Sequence, residues 1–145
     1  MKAVCSAVLI LFSCSALLLA PSCRPEPVAP EDATILILDP PAGARLPAGD
    51  VTIRTYVEHI KLVDAAGQPY QPGQGHIIYY MDVTPPTVKG KSVLTEAGTC
   101  FATTGTFHVW KGVPPGSHVF WVQLANNDNT PVEPPAAVRV PVTIE

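Results

Sequence analysis

From residue 33 to its end, the chain places apolar side chains at every second position, and no stretch keeps helical spacing for three turns. That alternation predicts strands. Thr34-Ile35-Leu36-Ile37-Leu38 is the first, closed by Asp39-Pro40-Pro41-Ala42-Gly43. Next, Val51, Ile53, Thr55 and Val57 alternate with Asp50, Thr52, Arg54 and Tyr56, the pattern of a half-buried strand. A loop rich in Gly and Pro (64–75) leads to a third strand at 76–83, which Pro85-Pro86 ends. Segment 87–104 has no clear period and holds at most a short edge strand near Ser92 and Leu94. The last third is the most regular: a strand at 106–111, a Val113-Pro114-Pro115-Gly116 corner, a strand at 118–125 and a final one at 137–144. Pro141 marks that last strand as an edge or bulged one. Six or seven short strands divided by turn residues predict an all-β antiparallel sandwich, with a closed barrel as the alternative.

The N-terminus breaks the alternation. Met1 and Lys2 precede an uncharged stretch, 3–20, that Pro21 stops. It is marginal for a permanent membrane span, which needs about 20 apolar residues, and it reads as a secretory signal. Leu19-Ala20-Pro21-Ser22-Cys23 resembles a bacterial lipobox, which implies lipidation of Cys23 and a new N-terminus there. The run Arg24-Pro25-Glu26-Pro27-Val28-Ala29-Pro30-Glu31-Asp32 then serves as a tether. Its spaced prolines favour polyproline II and a reach of ~25–30 Å. The expected division is a signal peptide of the lipoprotein type at 1–22, a Pro-rich tether at 23–32 and a sandwich domain at 33–145. The expected location is the cell envelope, lipid-anchored, facing the periplasm or the surface.

Composition changes this picture in two ways. The chain has 145 residues, 47% apolar and 14% charged, which excludes a disordered chain and a charged coiled coil. A net charge of −3 with nine scattered Lys and Arg excludes a nucleic-acid partner, whose phosphates need clustered cations. The four cysteines also shrink in meaning. Cys5 and Cys14 leave with the signal and Cys23 is a lipid site or a loose N-terminal thiol, so Cys100 is the one thiol of the folded part, and the domain must stand on its core rather than on disulfides.

Thr106 to Asn127, with its Gly-Val-Pro-Pro-Gly corner between strands, resembles the E–F segment of fibronectin type III and related immunoglobulin-like domains. Gly75-His76 opening a strand that ends at Asp82, then Pro115-Gly116-Ser117-His118, then Gln123 to Pro131 with its Asn/Asp run, resembles an uncharacterised family of secreted bacterial and archaeal domains. The resemblance spans about 35–144 and implies an immunoglobulin-like sandwich of about seven strands. It is nearly silent on function. Where such domains carry further histidines, this chain has Ile77, Ile78 and Asn129.

Four histidines in an exported chain raise copper or zinc as a cofactor. If the third strand and the His118 strand run antiparallel side by side, His76 falls near Asn126 and Asp128, and His118 near Asp82. At ~3.3 Å per residue, His76 and Asp82 stand about 20 Å apart, so one site does not hold all four. The candidate sets are His76 with Asn126 and Asp128, or His118 with Asp82; neither supplies three strong ligands. Each histidine also has a structural reading. His118 stands two after the corner Gly, where related sandwiches place a Tyr that ties the loop to the backbone. His76 suits a strand start bonded to the Asn-rich turn, and His108 a partly buried, hydrogen-bonded ring on the face of Trp110. Asn126-Asn127-Asp128-Asn129 carries enough oxygen for Ca²⁺ but lacks the spacing of a calcium loop, and Asn and Asp also favour turns and positive φ.

Nothing in the sequence assembles a nucleophile with a base, a phosphate loop or a zinc-protease motif, so the expectation is a non-enzyme. The corner register sends His118, Phe120, Val122 and Leu124 inward and Val119, Trp121, Gln123 and Ala125 outward. With Ile77, Tyr79 and Met81 in the core, Ile78 and Tyr80 adjoin Trp121 and Gln123 on one sheet face. That face is a ligand-binding surface unless loop 64–75 or 87–104 covers it. The leading expectation is therefore a non-catalytic binding or accessory module, anchored to the membrane by its lipid, with an envelope protein or glycan as partner. A copper or zinc protein and a structural spacer domain are the alternatives.

Overall fold

The computed structural model describes residues 32–145. The expected signal peptide, Cys23 and all of the tether but Asp32 lie outside the described residues. Nine strands follow one another among the described residues: β1 (Thr34–Asp39), β2 (Ala44–Leu46), β3 (Gly49–Glu58), β4 (Lys61–Leu62), β5 (Gln74–Met81), β6 (Cys100–Thr103), β7 (Phe107–Val113), β8 (Gly116–Asn126) and β9 (Ala137–Ile144). One sheet has the order β1-β3-β7; the other runs β2-β9-β8-β5-β4, with β6 also paired to β5. Only β2 with β9 and β4 with β5 pair in parallel. The chain's first strand is divided between the sheets, β1 on β3 and β2 on β9. This is an all-β immunoglobulin-like sandwich.

The alternation read from the sequence decides which side chains fill the space between the sheets. Ile35, Val51 and Ile53 enter from the smaller sheet, and Ile77, Tyr79, Phe120, Val122, Leu124, Val140 and Val142 from the larger. Each fully buried aliphatic or Phe side chain contributes about 1.5–3 kcal/mol. A polar tie crosses this core, where the Tyr79 hydroxyl meets Thr55 Oγ1 at 3.0 Å and donates to the Gly105 carbonyl at 3.2 Å. On one flank the gap between the sheets is filled by rings. His108 stacks on Phe101 with centroids 4.2 Å apart and meets Trp110 edge-on at 4.8 Å. His108 does share the face of Trp110, but ring packing rather than a hydrogen bond holds it.

Two strands are held by backbone requirements. At Gly75 a Cβ would stand 2.2 Å from the Ala125 carbonyl oxygen and 2.8 Å from Ile60 Cδ1, so β8 approaches as closely as it does because the side chain is missing. The chain entering β2 meets β9 at Pro141, where the Gly43 amide donates to the Pro141 carbonyl at 2.7 Å; β2 then pairs with Val142 to Ile144, and the register of β8 with β9 runs past Pro141 unbroken. β9 lies between β2 and β8, so it is neither the expected edge strand nor a bulged one; Pro141 is accommodated because only its carbonyl is used on the β2 side. The edge strand anticipated near Ser92 and Leu94 is also absent; the short strand that pairs with β5 is β6 at Cys100–Thr103.

Candidate functional site: the outer faces of the two sheets

Strand parity places His76, Ile78 and Tyr80 of β5 on the outer face of the larger sheet, where Ile78 pairs with Gln123 and Tyr80 with Trp121. The expected neighbours thus adjoin, but the face is not open. Ile78, Tyr80 and Gln123 have no exposure, because residues 82–99, between β5 and β6, cross the sheet as a strap. Val93, the fully buried residue of the strap, packs on Ile78, Tyr80 and Ala125. Polar groups stitch it down. The Tyr80 hydroxyl contacts the Val93 carbonyl at 2.9 Å and Gln123 Oε1 at 2.7 Å; Gln123 Nε2 donates to the Pro86 carbonyl at 2.9 Å; the Val93 amide donates to the Asn129 carbonyl at 2.8 Å. Burial holds the Tyr80 phenol above its ordinary range, with the nearby Cys100 adding to the effect. Ile78, Tyr80 and Gln123 are therefore corrected from a ligand surface to a second, outer core. Cys100 is half-buried beside it.

His76 ends the same face, opposite Ala125, and is almost fully buried. Neither ring nitrogen has a hydrogen-bond partner by distance and angle, nor do the side-chain oxygens of Asn127 and Asn129. Burial pushes the imidazole below its ordinary range, and the Asn129 side chain opposes that more weakly. The carboxylate of Asp128 turns elsewhere, accepting from the Thr130 amide at 3.1 Å and hydroxyl at 2.7 Å. Asn126 Nδ2 donates to Thr130 Oγ1 and the Pro131 carbonyl. With Asn129 at φ 60°, the Asn/Asp run is a turn.

His118 and Asp82 do meet, at 2.7 Å from Nδ1 to Oδ2, while Asp82 Oδ1 accepts from the Val119 amide at 2.8 Å. The other ring nitrogen, Nε2, lies 3.0 Å from the Pro114 carbonyl. Both partners are acceptors, which favours the doubly protonated ring, and the Asp82 bond raises its pKa. A metal at either nitrogen would have to displace one of these two bonds. The pair does the work of the tyrosine at the corresponding corner, tying the 113–116 turn to the end of β5. Among the described residues no group of three or more His, Cys, Asp or Glu side chains gathers as a metal site.

The strap leaves one corner of this face uncovered. A groove of about 230 Å³ is lined by Val119 and Trp121 on β8, Arg139 on β9, and Asp82 and Thr84 at the start of the strap. Trp121 and Arg139 are register partners, and the guanidinium carbon stands 5.7 Å from the indole centroid. Trp121 is the member of the expected ligand face that keeps access to solvent.

The other sheet presents a surface that strand reading passed over. Leu36, Leu38, Tyr56 and Phe107 face outward from β1, β3 and β7 with 54, 62, 48 and 57% of their surface exposed. Leu36 pairs with Tyr56, and Phe107 with Arg54, so these three lie on neighbouring rows, and Leu38 follows at the irregularity between Ile37 and Asp39. β1 is also an edge, with no strand on its far side. The clue was present in 34–38, five residues with no polar member after Thr34, so whichever face β1 turns outward carries apolar side chains.

No protein-family model matches the chain, and no curated protein matches it. Among solved structures it is similar to fibronectin(III)-like modules of Clostridium thermocellum CbhA, at 15% identity and a TM-score of 0.40 over 77% of this chain and 94% of that one. An engineered protein gives 15% identity and 0.40, over 81% of this chain and 21% of that one. The PKD domain of human KIAA0319 gives 17% and 0.37, over 87% and 92%.

Proposed function

We propose that the chain is a non-catalytic binding module, exported and held at the cell envelope by a lipid on Cys23, which docks an envelope protein on the outer face of β1, β3 and β7. The observation that carries this reading is the contiguous exposure of Leu36, Leu38, Tyr56 and Phe107. Large exposed apolar patches are uncommon on proteins that act alone. A protein partner fits better than a glycan for two reasons. The patch holds one charged side chain in its middle, Arg54, and offers few of the hydrogen-bonding groups a sugar needs. It also borders the free edge of β1, where a partner strand can continue the sheet through main-chain bonds. The Pro-rich run 24–31 supports the anchor by giving the domain reach above a bilayer.

Photocrosslinking in the native cells tests the docking face. A photoreactive residue at Tyr56 or Phe107 is expected to capture the same single envelope protein, and Leu36→Glu to abolish capture. No adduct, or a product made only of two copies of this chain, overturns the reading. The anchor has its own test in mass spectrometry of the mature N-terminus. A diacylated Cys23 is expected; an unmodified one contradicts it.

A further inference from the structure

We infer that the strap is a pH-gated cover, closed over the outer face of the larger sheet near neutral pH and released from one end by base and from the other by acid. It is clamped at two points, and a histidine stands at each. At its start, Asp82 accepts from the Val119 amide at 2.8 Å and meets His118 Nδ1 at 2.7 Å, while His118 Nε2 lies 3.0 Å from the Pro114 carbonyl. A doubly protonated ring donates to both acceptors. A neutral ring has one N–H and turns a lone pair toward one of them, so loss of the proton loosens this clamp. Asp82 is the charged group that acts on His118; Phe120 beside it and Val142 across from it bring none.

The second clamp is the Val93 amide on the Asn129 carbonyl, 2.8 Å away. The side chain of that same Asn129 is the group that bears on His76, whose ring is 1% exposed and has no partner at either nitrogen by distance and angle. Val93 also packs on Ala125, the register partner of His76. A proton on His76 therefore puts a buried cation under this clamp with no carboxylate to meet it, and opening is its route to water. The ionisable side chains on the surrounding segments are all exposed: Lys61 on β4, Asp64 on the loop that reaches the turn through the Gly67 amide, Lys89 and Lys91 on the strap, and Asp128, held by Thr130. None of them acts on the His76 ring. The two signs oppose. His118 is raised, so its clamp is complete below about pH 6.5 and is lost as pH rises through the folded pKa; His76 is lowered, so its clamp is complete above that value and is lost as pH falls through the folded pKa. Opening uncovers Ile78, Tyr80 and Gln123, on the opposite sheet from the proposed docking face, so the two inferences stand or fall separately.

Native-state hydrogen exchange of the protein, read as protection factors from about pH 5 to about pH 8, is the test. Protection at the Val93 amide is expected to peak inside that range and to fall on both sides, by up to about tenfold per pH unit. It should also stay below the protection of Val122, which lies in the core between the sheets. Asp82→Asn is expected to remove the alkaline limb and His76→Leu the acid limb, whereas His108→Leu, which alters a ring in the gap between the sheets, leaves both in place. If a clamp variant does not fold, the wild-type profile decides by itself. A flat or one-sided profile at Val93, or one that coincides with Val122 at every pH, overturns the gate.

Discussion

Asp82 Oδ2 and His118 Nδ1 lie 2.7 Å apart, and the residue that brings the carboxylate there does so from a left-handed backbone, φ 58°. The aspartate thereby ends β5, starts the strap and fixes the corner before β8 in one contact. Its charge also sets the protonation of the ring. His118 is held above its ordinary value by Asp82, so its contribution to stability is complete below about pH 6.5, the unfolded value, and is lost as pH rises through the folded pKa. NMR titration of the His118 ring is expected to give a pKa above that of a free histidine in the wild type, returning toward it in Asp82→Asn. With the Asp82 side chain about half exposed, the same variant should lose about 1 kcal/mol near neutral pH in urea unfolding.

His76 behaves in the opposite sense. Burial holds it, and also His108, below the ordinary value. The unfolded chain therefore takes up protons first, and stability, full above about pH 6.5, falls as pH drops through that value toward the folded pKa. Each such histidine contributes a slope of up to about 1.4 kcal/mol per pH unit. Urea midpoints compared near neutrality and about two units lower should fall for the wild type, and fall less for His76→Leu and His108→Leu.

Tyr80 holds the strap through one hydroxyl. In Tyr80→Phe the single hydroxyl proton shared between the Val93 carbonyl and Gln123 Oε1 is lost while the ring still packs. A buried acceptor left alone costs about 1–3 kcal/mol. The loss should be local, so hydrogen exchange is expected to speed at the Val93 amide more than at Val122 or Tyr79. Uniform acceleration would mean that the strap is no separate unit.

Gly75→Ala places a methyl against the Ala125 carbonyl, which is backbone of a central strand and has little freedom to yield. Overpacking of this kind costs about 1–3 kcal/mol. Thermal unfolding should show the drop, whereas Gly90→Ala, with open space around its Cβ, should cost less and only through its positive φ.

The inward and outward sets on β5 and β8 were legible in the sequence because a strand alternates by geometry alone. His118 meeting Asp82 followed from the same pairing, and β9 was bounded correctly at Ala137 and Ile144. What covers a face is a different question from which face a side chain takes. Segment 82–99 has no period because it crosses the sheet rather than joining it, and of its two buried residues, Pro85 and Val93, the apolar anchor Val93 sits among Lys91, Ser92, Leu94 and Thr95 without a pattern to mark it. The hint lay in Tyr80 and Gln123, two polar side chains on strands otherwise buried, which required partners. The exposure of β1 was not legible for the converse reason: a continuous apolar run does not say which half meets solvent, and here the outer half does. The short strands β2 and β4 follow from sheet pairing at their neighbours and carry too few residues to alternate.

Which outer face makes contact is the central claim, and site-specific photocrosslinking decides it most directly. Probes at Tyr56 and Phe107 on the open sheet should yield one shared adduct with an envelope protein, and a probe at Leu94 on the strap, of similar exposure at 45%, should yield none. Capture from Leu94 with silence at Tyr56 and Phe107 would contradict the account.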